Sequence, residues 1–447
     1  MSSLKMGMGR AGIDPTVPAS LAGYFNLRPW KTVLDSLEVR AMVLEEKGVY
    51  AAIVHYDLIS AAENLAEMVM EKIADLAMFS RENIIFSAIH THTAPEVRPK
   101  AGYSAEYADF VDAQTARALR DALADLSPAE TVQGTAWDDR FLFNRRYWMK
   151  SGGVTTNPGK LNPDILRPEG TTDPEIPMLG FRRGGRLTAL IANAVNHSDT
   201  IGGNGVSADW PGFFRRTVEA SLGAGSMVIP LIGAAGNINH FDVSTDACQS
   251  CYAEAQRIGR GIARTVLDKL DSLQPCCEMP LEVRHLRVPC PGHEVAPEAL
   301  AEAEATVARY ADLPDVTDCG SLTSEDLARK APVVLKYFAG EVVKLAKHPL
   351  TYQLPLTGIF VNGAAILNLP GEPFVEIGLE LRKRIFCDFH TLIAAHGPSG
   401  NPATGGGYIP NRWNYGRGGY ETEGRSNPYH QSASEKILAG FRTMAGR

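Results

Sequence analysis

The chain has 447 residues, 45% hydrophobic and 21% charged, with a net charge of −7. This is the composition of an ordinary globular protein, long enough for one large domain or two to three smaller ones. The acidic balance argues against a nucleic-acid partner, which leaves a basic stripe, and the pairs Arg145-Arg146 and Arg182-Arg183 are too short to make one. No run approaches the ~18 apolar residues of a membrane span. The opening Met-Ser-Ser-Leu-Lys-Met-Gly lacks an apolar leader core, so a cytoplasmic location is expected. The seven cysteines are dispersed. The CxxC at Cys248 and Cys251 has no second copy, so reduced thiols are expected rather than a structural zinc site.

Strand-like and helix-like segments alternate through the first two-thirds. Residues 49–56 read as a strand, 62–76 as an amphipathic helix and 83–90 as the next strand. Residues 105–126 are Ala- and Leu-rich with polar breaks at helical spacing. The apolar runs 187–195 and 227–232 are short enough for buried strands, and 246–273 reads as a long helix. This alternation is the pattern of an α/β protein. Residues 147–178, rich in Gly, Pro, Asn and Thr, read as a long loop. Residues 296–313 and 324–346 are charged and helix-like, and 295–349 is read as a helical insertion ahead of an apolar strand region at 358–369. After Ala395 the chain becomes Gly-, Asn- and Tyr-rich through Gly424, a composition suited to a segment folded over a site.

His90-Thr91-His92 ends the 83–90 run. Side chains two apart on a strand share a face, strand ends are where α/β proteins place their chemistry, and imidazole is the commonest metal ligand. Four further segments share this syntax of an apolar strand running into polar or Gly-rich sequence: 190–197, ending in His197; 229–240, ending in Gly233-Ala234-Ala235-Gly236-Asn237-Ile238-Asn239-His240; 365–373, ending in Pro370-Gly371-Glu372-Pro373; and, more loosely, Gly405-Gly406-Gly407-Tyr408-Ile409-Pro410 after the apolar run 392–395. His55 reads as a core histidine. His240 is a candidate substrate contact beside the Gly-rich turn. His285, His293, His348, His390, His396 and His430 are read as structural or surface residues.

In order along the chain stand Met8-Gly9-Arg10-Ala11-Gly12-Ile13-Asp14, His90-Thr91-His92-Thr93-Ala94-Pro95, Asn144-Arg145, His197 with Ser207-Ala208-Asp209-Trp210-Pro211-Gly212, Gly233 to Asn239, Pro370-Gly371-Glu372-Pro373, Gly407-Tyr408-Ile409-Pro410 and Gly419-Tyr420-Glu421. This ordered set resembles the catalytic domain of the neutral, non-lysosomal ceramidases. The resemblance implies an α/β fold of mixed sheets flanked by helices, one catalytic domain over residues 1–447 with 295–349 as its helical insertion, and one zinc ion per chain. It places the zinc ligands at His90, His197, Glu372 and Tyr408, with His92 beside the water. Arg145 and Tyr420 match positions that contact the polarised carbonyl. The implied reaction is hydrolysis of an N-acyl bond. The chain departs from the family's pattern where Asn237 and Asn239 stand in place of Asp and Ser, and no C-terminal immunoglobulin-like domain is expected.

These residue types support water-based chemistry. Zinc held by His, His and Glu with one open position makes hydroxide available near neutral pH. A neutral His92 is suited to carry the water's proton to the leaving amine. Arg145 and Tyr420 are oxyanion donors, each worth ~3 kcal/mol in favourable cases, and Asn239 is placed to orient water or substrate. Asp209 is expected to anchor a ligand imidazole through its second nitrogen. The expected partner is a small soluble substrate. Homo-oligomerisation, an ester, lactone or sugar-derived substrate, a metal-containing binding protein and a structural zinc all stay open.

Overall fold

The computed structural model describes residues 3–24, 26–316, 326, 329–402, 406–424 and 426–447. Three sheets carry the fold, and each is largely antiparallel with one parallel pair at an edge. The first runs in the order 84–88, 49–56, 38–46, 5–12, 127–128, and Ile84–Ala88 and Val49–Tyr56 are its parallel pair. The second runs 227–232, 186–194, 175–183, 130–137, 274–275, with Arg186–Ala194 and Met227–Ile232 parallel. The third runs 282–291, 351–361, 364–370, 390–397, with Ala364–Pro370 and His390–Gly397 parallel.

Parallel neighbours need a crossover, and each pair has a helix in it: Glu63–Lys72 in the first, Asp209–Leu222 in the second, Val375–Glu380 in the third. The chain is thus three β-helix-β units, each extended by antiparallel strands. The alternating periods of the sequence encode these units locally. They account for the strands and helices expected at 49–56, 62–76, 83–90, 187–195 and 227–232.

Strand Glu38–Glu46 shows how the layers are held. It is buried on both faces. Val39, Ala41 and Val43 join the core beneath the helices, whereas Met42 and Leu44 point into a second core. That second core also takes Ile85 from the first sheet, Phe181, Ile191 and Ile229 from the second, and Ile359, Ile366 and Leu392 from the third. The three sheets therefore meet on shared apolar surface. Helix Ala105–Ala124 starts at Ser104, whose hydroxyl accepts from the Tyr107 amide at 3.3 Å. It buries Tyr107, Val111, Ala118, Leu119 and Ala122 on one face.

The region 147–178 is not one loop. It contains strands Val154–Thr156 and Ile165–Pro168, which flank Arg146–Met149 in a small sheet of their own, and strand Glu175–Arg183 begins inside it. Strands this short carry too few residues to show a period. The apolar run at 358–369 spans two strands, Thr351–Val361 and Ala364–Pro370, joined through Asn362 and Gly363 at φ 46° and 75°, the two-residue hairpin geometry. Helices Pro297–Arg309 and Pro332–Lys347 lie in the expected 295–349 segment, between strands Glu282–Pro291 and Thr351–Val361, which pair along their length. Of the helix expected at 324–346, residues 324, 325, 327 and 328 lie outside the described residues, as do 403–405 of the Gly-rich tail. All six described cysteines are free thiols.

Candidate metal centre

Each parallel pair delivers side chains at its carboxyl ends, the position where α/β sheets place ligands. In the first sheet, strand Ile84–Ala88 leads to His90, and the chain beyond Val49–Tyr56 supplies the Ile59 carbonyl that accepts from His90 Nδ1 at 2.8 Å. In the second, Arg186–Ala194 leads to His197, and the chain beyond Met227–Ile232 supplies the Ala235 carbonyl, 2.9 Å from His197 Nδ1. In the third, Ala364–Pro370 leads to Glu372 and its partner strand carries His396. In the first two pairs one strand thus presents an imidazole and the chain beyond its neighbour braces it. The Gly-rich turn of the second sheet lies directly on Glu372: a Cβ at Gly236 would overlap the Glu372 carbonyl oxygen, so only glycine lets the two segments touch.

The His90-Thr91-His92 geometry differs from simple strand alternation. The strand ends at Ala88, and His90 has φ 63°, a left-handed conformation that costs a non-glycine residue about 1–3 kcal/mol. Thr91 then bridges Ser198 in parallel. This turn, rather than the pleat, swings His90 and His92 to one point.

Three acceptor atoms meet here. With Nδ1–H of His90 and of His197 given to backbone carbonyls, the neutral rings turn Nε2 lone pairs inward, and Arg145 Nη1 donates to that of His197 at 3.2 Å. Glu372 Oε2 lies 3.3 Å from both and is buried without a hydrogen-bond partner among the described residues. His92 Nε2 lies 3.4 Å from His90 Nε2. The ligand atoms of His90, His92 and His197 all fall within 4.8 Å of one another. Two donors ~2.1 Å from a tetrahedral ion lie ~3.4 Å apart, so the observed spacing fits a divalent cation. Burial, with the Arg145 charge behind it, pushes the His197 imidazole down to about 3. Burial and His90 likewise hold His92 well below the ordinary imidazole value. Burial opposes ionisation of Glu372, but the imidazoles of His90 and His197 overcome it. The cluster resists taking up protons on its rings and attracts positive charge.

Tyr408 pairs with Glu372 in a parallel bridge, and its ring stacks at 18° to His197 with centroids 6.5 Å apart. Its hydroxyl lies 3.5 Å from that of Tyr420. Burial raises the Tyr408 phenol well above its usual range and Tyr420 to about 12. Arg145 reaches the same place: Nη1 is 3.2 Å from His197 Nε2, its guanidinium lies 5.0 Å from the Tyr408 ring centre and 5.5 Å from that of Tyr420, and Nη2 is buried without a hydrogen-bond partner among the described residues. Asn239 is buried, donating to Asn157 Oδ1 at 2.8 Å and accepting from the Phe241 amide at 3.1 Å. Asn237 ties the turn to the third sheet by accepting from the Val375 amide at 2.8 Å.

Two expectations change. Asp209 does not brace a ligand imidazole, since those nitrogens are taken by Ile59 and Ala235. Its carboxylate accepts from the Thr200 and Ile201 amides at 2.9 and 3.1 Å instead, holding the loop after His197. His396, read as structural or surface, is buried and stacked on His90 at 4.1 Å and 14°, with neither ring nitrogen hydrogen-bonded among the described residues. Its φ of 59° has no sequence signature, and Ala395-His396-Gly397 resembles any strand end. Glu421, also missed, accepts from Arg145 at 3.1 Å and Arg146 at 2.6 Å and so orients Arg145. His55 is a core residue bonded to Ser87 at 2.8 Å. His240 Nε2 is bonded to the Gln249 carbonyl at 2.7 Å.

No model of a known protein family matches the chain, and no curated protein matches it in sequence. Among solved structures it is similar to the neutral ceramidase from Pseudomonas aeruginosa, with a TM-score of 0.73 and 17% identity over 99% of this chain and 74% of that one. A ceramidase complexed with C2 matches with a TM-score of 0.72 and 17% identity, over 99% and 75% of the two chains. The fold of this chain is ceramidase-like, a mixed α/β architecture shared along its whole length.

Proposed function

We propose that the chain is a zinc-dependent hydrolase that cleaves an amide bond, the N-acyl link of a small soluble substrate. The observation that carries this reading is that His90 Nε2 and His197 Nε2 each lie 3.3 Å from Glu372 Oε2 with no hydrogen in between. These three atoms would hold the ion, with the Tyr408 hydroxyl as a fourth ligand. Zinc bound there would supply an acidified water and polarise the scissile carbonyl. His92, at the margin of the cluster, takes the water's proton on Nε2 and returns it to the leaving amine. The unpartnered Arg145 Nη2 and the Tyr420 hydroxyl donate to the carbonyl oxygen as it gains charge. Asn239, fixed by Asn157, orients substrate from the turn where the ceramidases carry a serine. A ceramidase-like fold supports amide chemistry over the alternatives.

The test is metal analysis of protein purified without added metal, followed by a panel of soluble N-acyl and ester substrates with and without chelator. The expected result is one divalent ion per chain and amide cleavage that chelation abolishes and zinc restores. Turnover indifferent to chelators in protein holding no stoichiometric metal would overturn the reading, and cleavage of esters alone would replace amide by ester.

A further inference from the structure

The bridge between Thr91 and Ser198 sets their following residues, His92 and Asp199, side by side. Asp199 Oδ1 accepts from the Tyr24 hydroxyl at 2.7 Å and faces His92 Nδ1 at 3.7 Å. That nitrogen is buried and has no hydrogen-bond partner among the described residues. The ring is boxed in on its other sides. Tyr24 lies 5.7 Å from it, centre to centre. The Arg28 guanidinium caps Tyr24 at 3.9 Å and donates to the His92 carbonyl at 2.5 Å. Gly23, at φ 95°, leaves room only because it lacks a side chain, since a Cβ there would overlap His92 Nδ1. A built pocket thus aims one ring edge at a carboxylate and the other at the centre.

We propose that Asp199, itself held by Tyr24, is a positioning residue that fixes His92 in the tautomer with its proton on Nδ1, so that the Nε2 lone pair faces the centre. The physical reason is simple electrostatics: a carboxylate oxygen beside a bare ring nitrogen repels it, whereas beside N–H it attracts. The opposite tautomer would spend the Nε2 proton on His90 and leave Nδ1 bare against Asp199. The effect on the ring is independent of the reaction, and the effect on turnover rests on the hydrolase reading above.

Ring nitrogen signals of metal-free, 15N-histidine-labelled protein at neutral pH report the tautomer directly, with His92→Gln supplying the assignment. The expected wild-type pattern is N–H at Nδ1 and a bare Nε2. Asp199→Ala should move His92 toward the other tautomer while the remaining imidazoles stay put. Tyr24→Phe, at a partly exposed position and safe for folding, should shift it less in the same direction. A wild-type ring with its proton on Nε2, or a folded Asp199→Ala protein with His92 unchanged, would overturn the proposal. In the loaded enzyme, Asp199→Ala should lower kcat about 10–100-fold with KM within about twofold and metal content unchanged, and Asp199→Asn, which keeps an acceptor oxygen, should recover part of the loss. A tautomer shift in protein that hydrolyses no amide would sink the hydrolase reading and leave this one standing.

Discussion

Two buried polar regions of this molecule solve opposite problems. Beneath helix Asp209–Leu222, Arg40 is buried against Glu38 at 2.6 Å and Glu219, and Arg215 against Asp57 at 2.7 Å. There every carboxylate meets a cation that the chain itself provides. At the centre formed by His90, His197 and Glu372, acceptors meet acceptors, and Arg145, the cation that touches His197, is partly spent on Glu421. The first region is complete as folded and serves stability. The second is incomplete by charge, and a buried cluster of that kind gains stability when a cation is added.

The comparison breaks most visibly at Glu372. Glu372→Ala, or His197→Ala, should remove the ion and lower kcat/KM by about 10³-fold or more, because several kcal/mol of transition-state stabilisation go with it. Metal analysis beside rate measurement checks this. In metal-free protein the same changes should leave the melting temperature level or raise it, because they remove acceptor crowding. Arg215→Ala should do the reverse. It strands Asp57, whose carboxyl burial already pushes up to about 6 with Arg215 opposing. It should cost about 3–5 kcal/mol in denaturant unfolding, with the metal retained. A stable Arg215→Ala protein, or a destabilised metal-free Glu372→Ala protein, would remove the distinction.

Acid should separate the regions next. Burial and Arg145 take His197 down to about 3 in the fold, against ~6.5 in the unfolded chain. The unfolded chain therefore binds the proton first. This contribution to stability is intact above pH ~6.5 and declines as pH falls toward 3, and bound metal should leave over the same range. Denaturant midpoints at pH 7.5, 5.5 and 4.5 read it, and the difference from His197→Gln isolates it from the carboxylates. A pH dependence identical in the two proteins would refute it. Smaller still, Tyr408→Phe should weaken metal binding about tenfold in a competition titration, and unchanged affinity would assign Tyr408 to substrate instead. The smallest effect belongs to Asn239→Ala, which loses the bond to Asn157 at a cost of about 1 kcal/mol, with metal content unchanged.

What the amino-acid order settled alone is what short-range period encodes. The strands at 49–56, 84–88, 186–194 and 227–232 and the helix between the first two were legible because a few consecutive residues fix whether apolar side chains repeat every two or every 3.6 positions, whereas helix Asp209–Leu222 was not read from the sequence. That His90, His197 and Glu372 end such strands was visible too, and the ordered motifs tied them to Tyr408, Arg145 and Tyr420. The strands around residues 146–168 were not legible, because three or four residues hold too little of a period. Only the tertiary structure decided that the ends of three parallel pairs meet, since their convergence depends on sheet order and on a core shared by residues as distant as Met42, Ile229 and Leu392. It also decided the bracing. Backbone carbonyls at Ile59 and Ala235 took the role expected of Asp209, and every residue has a carbonyl, so no residue type announces that one. His396 came to lie on His90 through a left-handed turn, a choice made by packing and invisible to composition.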